Sequence, residues 1–269
     1  MESTFSEAAV TRLPVPRDEQ ALPRAARDDL AGALATLQRG GGALVRAAQR
    51  LARLAGVPVL RRLGDRLGAT AVLEGLARAA LERAFGIAVL GLPESGLPAG
   101  PLASPRLAHL ATAMSGAVSG AAGLVGAVPD AALTTLLIMR QIAAAALAEG
   151  EDLRDEDTRR ACLEVFALDA AGEEGGYWSA RLLLRGAPMA AVLAQAARIW
   201  SIGLADKLAA QSAPIAGAAG GALVNTAFLR HYRHMARAHF TVRRLERQFG
   251  AAAVRAASPP GLAGDSAVA

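Results

Sequence analysis

One apolar stretch, residues 115–150, restricts the folds open to this chain more than any other segment. Around its start, small residues recur at intervals of three and four and so share one helix face: Thr112, Gly116, Ser119, Gly120, Gly123 and Ala127. A glycine inside a helix costs roughly 1 kcal/mol relative to alanine, so this helix needs tertiary contacts to persist. Close approach of a second backbone supplies such contacts. We therefore predict two closely packed helices joined at Val128-Pro129-Asp130.

Two environments suit this predicted hairpin: the core of a soluble protein, or a membrane. Residues 107–128 are long enough to span a bilayer, since about 20 apolar residues suffice. The second arm, however, carries Arg140 near its centre, and a charge there is unfavourable in lipid. If a membrane is involved, the sequence favours peripheral or shallow insertion over a true span.

The overall composition predicts an all-α protein. Apolar residues make up 53% of the chain but aromatic residues only 4%. Alanine, leucine and arginine dominate and favour helix, and no alternating run of β-branched residues indicates a strand. We predict a multi-helix bundle built around the Gly/Ala-rich hairpin.

Segment boundaries follow from the distribution of proline, glycine and polar residues. We predict a disordered arm at residues 1–22, a helical domain at 24–250 with a Pro/Gly-rich loop at 86–105, and a disordered tail at 251–269. The polar N-terminus does not resemble a signal peptide, and a single cysteine, Cys162, excludes an internal disulfide. Both observations favour a cytoplasmic location.

The last predicted helix runs from about Pro214 to Phe249 and has two parts. In its first half, Gly217, Gly221 and Asn225 share a small face that we expect to pack against the first glycine helix. Asn225 would then be buried and would need a hydrogen-bond partner. Its second half is basic, within a region, residues 178–269, that holds eleven bases against three acids. The candidate contacts with an anionic membrane surface are Arg237, Arg243 and Arg244.

Polar residues on the apolar helices are the candidates for a binding site. Arg140 lies among apolar residues and requires a carboxylate or several carbonyl partners. A structural ion pair with an acid of residues 151–174 or with Asp206 explains it, since Asp130 lies ten residues away, too far for a direct bond. The alternative is a polar pocket for an anionic group near Arg140 and Asn225, with Asp130 as a further candidate residue. Tyr177 and Trp178 follow a polar loop and anchor a helix end, either in the core or at an interface.

Sequence signatures of catalysis are absent, so we lean towards a protein that is not an enzyme and predict no cofactor. There is no Gly-x-Ser-x-Gly, Walker or His-Glu-x-x-His motif. The histidines His231, His234 and His239 are only a weak metal candidate, because interleaved arginines repel a cation. Nucleic acid is not a predicted partner, because the basic stripe at residues 39–83 lacks aromatic residues for base stacking.

Several motifs together resemble the EcsC family of bacterial proteins, over roughly residues 60–250. They are Val128-Pro129-Asp130, the apolar run at 136–142 containing Arg140, an acidic stretch at 149–157, and the late helix from Pro214 to Asn225 leading to Arg243. The sequence departs from the family at 145–150, where an aromatic is expected before the glycine. The resemblance implies a link to a membrane transporter, through the family's namesake, but no catalytic residue.

Three functions remain open at this point. The first is a non-enzymatic protein at the cytoplasmic membrane surface or on a membrane transport complex. The second is a soluble enzyme or small-molecule binder with a pocket near Arg140 and Asn225. The third is a soluble scaffold that binds a partner through its acidic segment, residues 151–177 with nine acids and three bases, or through its basic helix. The sequence gives no prediction of oligomeric state.

Overall fold

The computed structural model describes residues 22–38, 69–89, 92, 124–170, 176–211 and 217–258. These residues form eight α-helices and one short 3-10 helix and contain no strand, which confirms the all-α prediction. The α-helices are α1 (Arg24–Gln38), α2 (Ala69–Ala88), α3 (Leu124–Ala148), α4 (Glu156–Ala167), α5 (Gly176–Arg185), α6 (Met189–Gln211), α7 (Gly217–Phe249) and α8 (Ala251–Ala256). The 3-10 helix, Leu168–Ala170, directly follows α4.

Helix α3 lies between α2 and α7, and α6 packs against both α2 and α4. Where α4, α6 and α7 meet, four of the ten aromatic residues of the chain form a cluster. Trp200 is fully buried and contacts Phe166, Phe228 and Tyr232 edge to face, a favoured aromatic geometry. Its indole N–H donates to Thr135 Oγ1 of α3 at 2.9 Å, so the polar atom of this large side chain is satisfied.

The predicted hairpin turn at Val128-Pro129-Asp130 is wrong. Helix α3 continues without interruption through these residues from Leu124 to Ala148. Pro129 is the sixth residue of α3, beyond the first turn in which a helix best tolerates proline, so it removes one backbone donor from the helix. The X-Pro-Asp sequence therefore did not mark a helix boundary here.

The predicted contact between two glycine faces can be followed only in part. Gly116, Gly120 and Gly123 lie outside the described residues. Gly217 and Gly221 lie in the first turns of α7, and α7 packs along α3. The second glycine-bearing helix thus packs on the segment that follows the first glycine face in sequence.

Two predicted boundaries need correction, and the N-terminal arm at 1–22 lies almost wholly outside the described residues. The loop placed at 86–105 begins later, because α2 extends to Ala88. The tail placed at 251–269 begins as a helix, α8, with Val254 fully buried. Trp178 stabilises this end of the chain, because its Nε1 donates to Ser258 Oγ at 3.1 Å.

Candidate functional site on the basic helix

The C-terminal end of α3 brings two acids against α7. Gly150 has a φ of 80°, and the amide of Glu151 donates to the carbonyl of Ala146 at 3.0 Å, which is a Schellman C-cap. The positive φ turns the chain sharply at a position that glycine occupies without strain. The turn places Glu149 and Glu151 beside the arginines of α7.

Glu151 is the centre of this ion-pair network. It accepts hydrogen bonds from Arg243 Nε at 2.8 Å and Nη2 at 3.1 Å, and a further one from Arg247. Burial raises the pKa of Glu151, but the hydrogen bonds and charges of Arg243 and Arg247 outweigh burial and hold the pKa below its ordinary value. The carboxylate is therefore ionised at neutral pH and neutralises part of the basic helix.

Arg244 ties a third helix into the network. Its Nε donates to Glu149 Oε2 at 2.7 Å, and its Nη2 donates to Asp29 Oδ2 of α1 at 3.0 Å. Arg243 and Arg244, predicted from sequence as membrane contacts, are thus committed to intramolecular ion pairs. A paired guanidinium offers little charge to an outside anion. We therefore look for a candidate membrane-binding surface among the other basic residues of α7.

Four basic residues remain on the solvent side of α7 at spacings of three and four, and we call them the basic ridge: Arg230, Arg233, His234 and Arg237. Arg230, His234 and Arg237 are exposed and Arg233 is partly buried. Within the described part of the chain, no ion pair neutralises any of them, and Arg233 Nε has no hydrogen-bond partner. The ridge is therefore a patch of like charge.

The ridge residues repel one another. Burial lowers the pKa of His234, and the charges of Arg233, Arg230 and Arg237 lower it further. Arg237 also lines a groove of about 570 Å³ between α1 and α7, whose α1 side carries Asp28 and Asp29. The field of Arg237 is thus partly offset, while Arg230 and Arg233 face no described acid.

The three histidines do not converge. His231 bonds Asp169 through Nε2, whereas His239 is buried with its Nδ1 3.1 Å from the Tyr177 hydroxyl, and His234 is exposed. No group of three potential metal ligands forms among the residues that the structure describes. Their helical spacing did not bring the three histidines together, because each meets a different neighbour around α7.

The described contacts of Asp130, Asn225 and Arg140 lie at two different places. Asn225 is fully buried and its Nδ2 donates to Asp130 Oδ1 at 3.0 Å, which confirms that it has a partner. Arg140 Nη1 donates instead to the carbonyl of Ala88, at the end of α2, at 2.9 Å. Ten helical residues, about 15 Å, separate Asp130 from Arg140. These bonds join α3 to α7 and to α2 and support a structural role.

Sequence reasoning missed a polar cavity of about 450 Å³ beside the ion-pair network. It lies among α4, α5, α7 and the start of α8 and is lined by Asp157, Arg160, Glu164, Arg181, Arg185, Arg243, Glu246, Arg247 and Ala251. Arg181 and Glu246 form a bidentate pair across it, with N–O distances of 2.9 and 2.6 Å. The sequence signal was only the strong charge asymmetry between residues 151–177 and 178–269.

Glu164, on the wall of this cavity, has buried polar neighbours. Glu164 Oε2 lies 3.6 Å from His239 Nε2, and the other ring nitrogen of His239 meets the hydroxyl of Tyr177. Burial raises the pKa of Glu164 and holds the pKa of His239 well below its ordinary value. Cys162 is also fully buried, and burial raises the pKa of its thiol, which disfavours a nucleophilic thiolate.

The fold and these contacts define a class: an all-α bundle whose long basic helix is held by acids from α1 and α3 and borders an arginine-lined cavity. The model of the EcsC protein family matches residues 103–245, which is more than half of the chain. The chain therefore belongs to the EcsC protein family, as the motifs indicated. No curated protein and no solved structure matches the chain.

Proposed function

We propose that this protein is a non-enzymatic helical protein that binds peripherally to the anionic inner surface of the cell membrane through the basic ridge of α7. The observation that carries the proposal is that Arg230, Arg233 and Arg237 lie on one side of α7 and none of them has an ion-pair partner among the described residues. A basic side chain near an anionic membrane contributes about 1 kcal/mol. Three arginines therefore contribute about 3 kcal/mol, a factor of roughly 150 in partitioning.

The burial of α3 supports attachment at the surface rather than a span. Residues Asp130–Ala148 of α3 are long and apolar enough to cross a bilayer, with a mean hydropathy of 1.6, but 61% of the segment is buried inside the protein. Exposing it to lipid would break its contacts with α2 and α7, including the Asn225–Asp130 bond. The ridge needs no such rearrangement, because it is already at the surface.

The intramolecular ion pairs also bear on the alternative in which a partner binds the acidic segment. The acids expected to bind an outside partner are partly occupied within the chain, since Glu151 holds Arg243 and Asp169 holds His231. A membrane transport complex remains a second possible docking partner for the ridge, as the family resemblance implies. A vesicle experiment separates the two, because a lipid surface binds the ridge in the absence of any other protein.

Co-sedimentation with vesicles tests the proposal. We expect the full-length protein to bind phosphatidylcholine vesicles containing phosphatidylglycerol, to bind pure phosphatidylcholine poorly, and to be released by high salt, which screens exposed charges. The triple variant R230Q/R233Q/R237Q should lose most of this binding.

The matched control is R24Q/R27Q/R198Q, which removes the same charge from exposed arginines on α1 and α6. If the ridge is the binding surface, the control variant keeps most of the binding. Equal losses in the two triple variants would show that net charge alone drives binding and would reject the ridge. No binding of the wild type to anionic vesicles would reject the membrane surface as the partner.

A further inference from the structure

The cavity among α4, α5, α7 and α8 is a second concentration of positive charge, separate from the ridge. Its wall carries five arginines: Arg160, Arg181, Arg185, Arg243 and Arg247. Two of them, Arg243 and Arg247, lie six and ten residues beyond Arg237, the last residue of the ridge, which is about 9 and 15 Å along the helix. The cavity volume, about 450 Å³, is within the range of small-molecule sites.

The five guanidinium groups have too few acids to balance them. Glu246 is fully engaged by Arg181, and Glu151, behind the wall, is shared by Arg243 and Arg247. Asp157 is exposed at the rim. Counting Glu151 with the lining acids, four carboxylates face five arginines even when all are ionised, so the cavity is positively charged.

Two arginines have no carboxylate partner in the described parts of the chain. Arg160 Nη1 donates to the backbone carbonyl of Ala187 at 2.5 Å and more weakly to that of Leu184 at 3.4 Å; these bonds occupy one of its nitrogens and do not neutralise its charge. Arg185 is exposed at the mouth and makes no described hydrogen bond or ion pair. Planar guanidinium groups of this kind match the oxygen atoms of a phosphate.

Glu164 gives the wall a group that responds to such a ligand. Its side chain is 4% exposed, and it lies on the cavity wall with His239 behind it. Because burial raises its pKa, Glu164 takes up a proton more readily than an exposed glutamate. Once protonated, it adds one unit to the positive charge of the cavity and supplies an O–H donor that a phosphate oxygen can accept.

We propose that this cavity binds the phosphate group of a small anionic ligand through Arg160 and Arg185, with Arg181 held in place by Glu246 and Arg243 by Glu151. Phosphate carries one or two negative charges near neutral pH; the cavity has a surplus of one positive charge when all its acids are ionised and of two once Glu164 is protonated. The phosphate belongs either to a free solute or to a lipid headgroup with a terminal phosphate. Both present the same oxygens to the arginines, and the ridge is not required for either.

Isothermal titration calorimetry of the full-length protein tests the free-solute source, with inorganic phosphate and glycerol 3-phosphate as separate probes. Vesicles of phosphatidylcholine containing phosphatidic acid, compared with vesicles containing the same charge as phosphatidylglycerol, test the lipid source. Saturable heat with either soluble probe supports the site. A preference for phosphatidic acid that is lost in the arginine variant described next supports it with the lipid as the source.

The informative variant is R185Q, because Arg185 has no described intramolecular partner whose loss would disturb the fold. It should weaken phosphate binding about tenfold, the usual scale for a hydrogen bond to a charged group. The control R198Q removes an equal charge from an exposed site on α6 and should leave affinity unchanged. The ridge variant R230Q/R233Q/R237Q should also keep the affinity, so failure of the ridge and failure of the cavity are distinguishable.

The variant E164Q distinguishes a phosphate-binding cavity from a cavity with only a structural role. It keeps the shape of the side chain but holds it neutral, so phosphate affinity should fall less steeply between pH 6 and pH 8 than in the wild type. The proposal is overturned if the wild type binds none of the phosphate probes with a Kd tighter than about 1 mM. Equal losses in R185Q and R198Q would overturn it as well.

Discussion

The buried pair Arg181–Glu246 allows a stability prediction with a defined size. The two side chains are 5% and 8% exposed and share two hydrogen bonds. Removing one partner of a buried pair leaves the other charge uncompensated and costs about 3–5 kcal/mol. We therefore expect R181M and E246L each to lower the free energy of unfolding by about 3–5 kcal/mol. Glu164 is a second negative neighbour of Arg181, so E246L should lie at the lower end of this range.

The double variant R181M/E246L removes both charges and leaves no unpaired ion. Replacing both members of a buried pair by apolar groups is often close to neutral, so the coupling energy should be at least about 3 kcal/mol. Urea unfolding followed by circular dichroism at 222 nm measures all four proteins. The matched control is the Arg78–Glu82 pair on α2, whose side chains are 48% and 47% exposed and which should couple by about 0.5 kcal/mol or less. Additive effects at Arg181 and Glu246 would refute the reasoning.

Four further predictions concern single positions and use the same unfolding assay. Gly150→Ala should destabilise by about 1–2 kcal/mol, because its φ of 80° strains any residue with a Cβ, while Gly86→Ala, in an open helical position, should stabilise by about 0.5–1 kcal/mol. Asn225→Ala should cost about 1.5–3 kcal/mol, since it removes a hydrogen bond to the buried carboxylate of Asp130. Because the pKa of His239 is lowered in the folded protein, the unfolded chain binds a proton below about pH 6.5 that the folded chain does not bind. His239 therefore lowers the free energy of unfolding as the pH falls, by up to about 1.4 kcal/mol per pH unit. The variant His239→Asn should lose less stability over the same fall in pH.

Particular residues show which site features the sequence could predict. The need of Asn225 for a partner followed from its place on a small helical face, and the structure supplies Asp130. Family membership followed from short motifs around Arg140 and was confirmed by the match over residues 103–245. The ion pair of Arg243 with Glu151 could not be predicted. A basic residue looks the same in a sequence whether an acid neutralises it or solvent surrounds it.

By itself, the sequence determined the helical class, since composition and apolar spacing act within one segment and depend on local backbone preferences. It also determined where α7 becomes basic. Only the tertiary structure decided that α3 passes straight through Pro129, that Glu149 and Glu151 meet the end of α7, and that five arginines surround one cavity. These outcomes depend on pairs of residues up to almost a hundred positions apart. The packing of the helices, not local backbone preference, determines which distant residues come into contact and which charges remain unpaired at the surface.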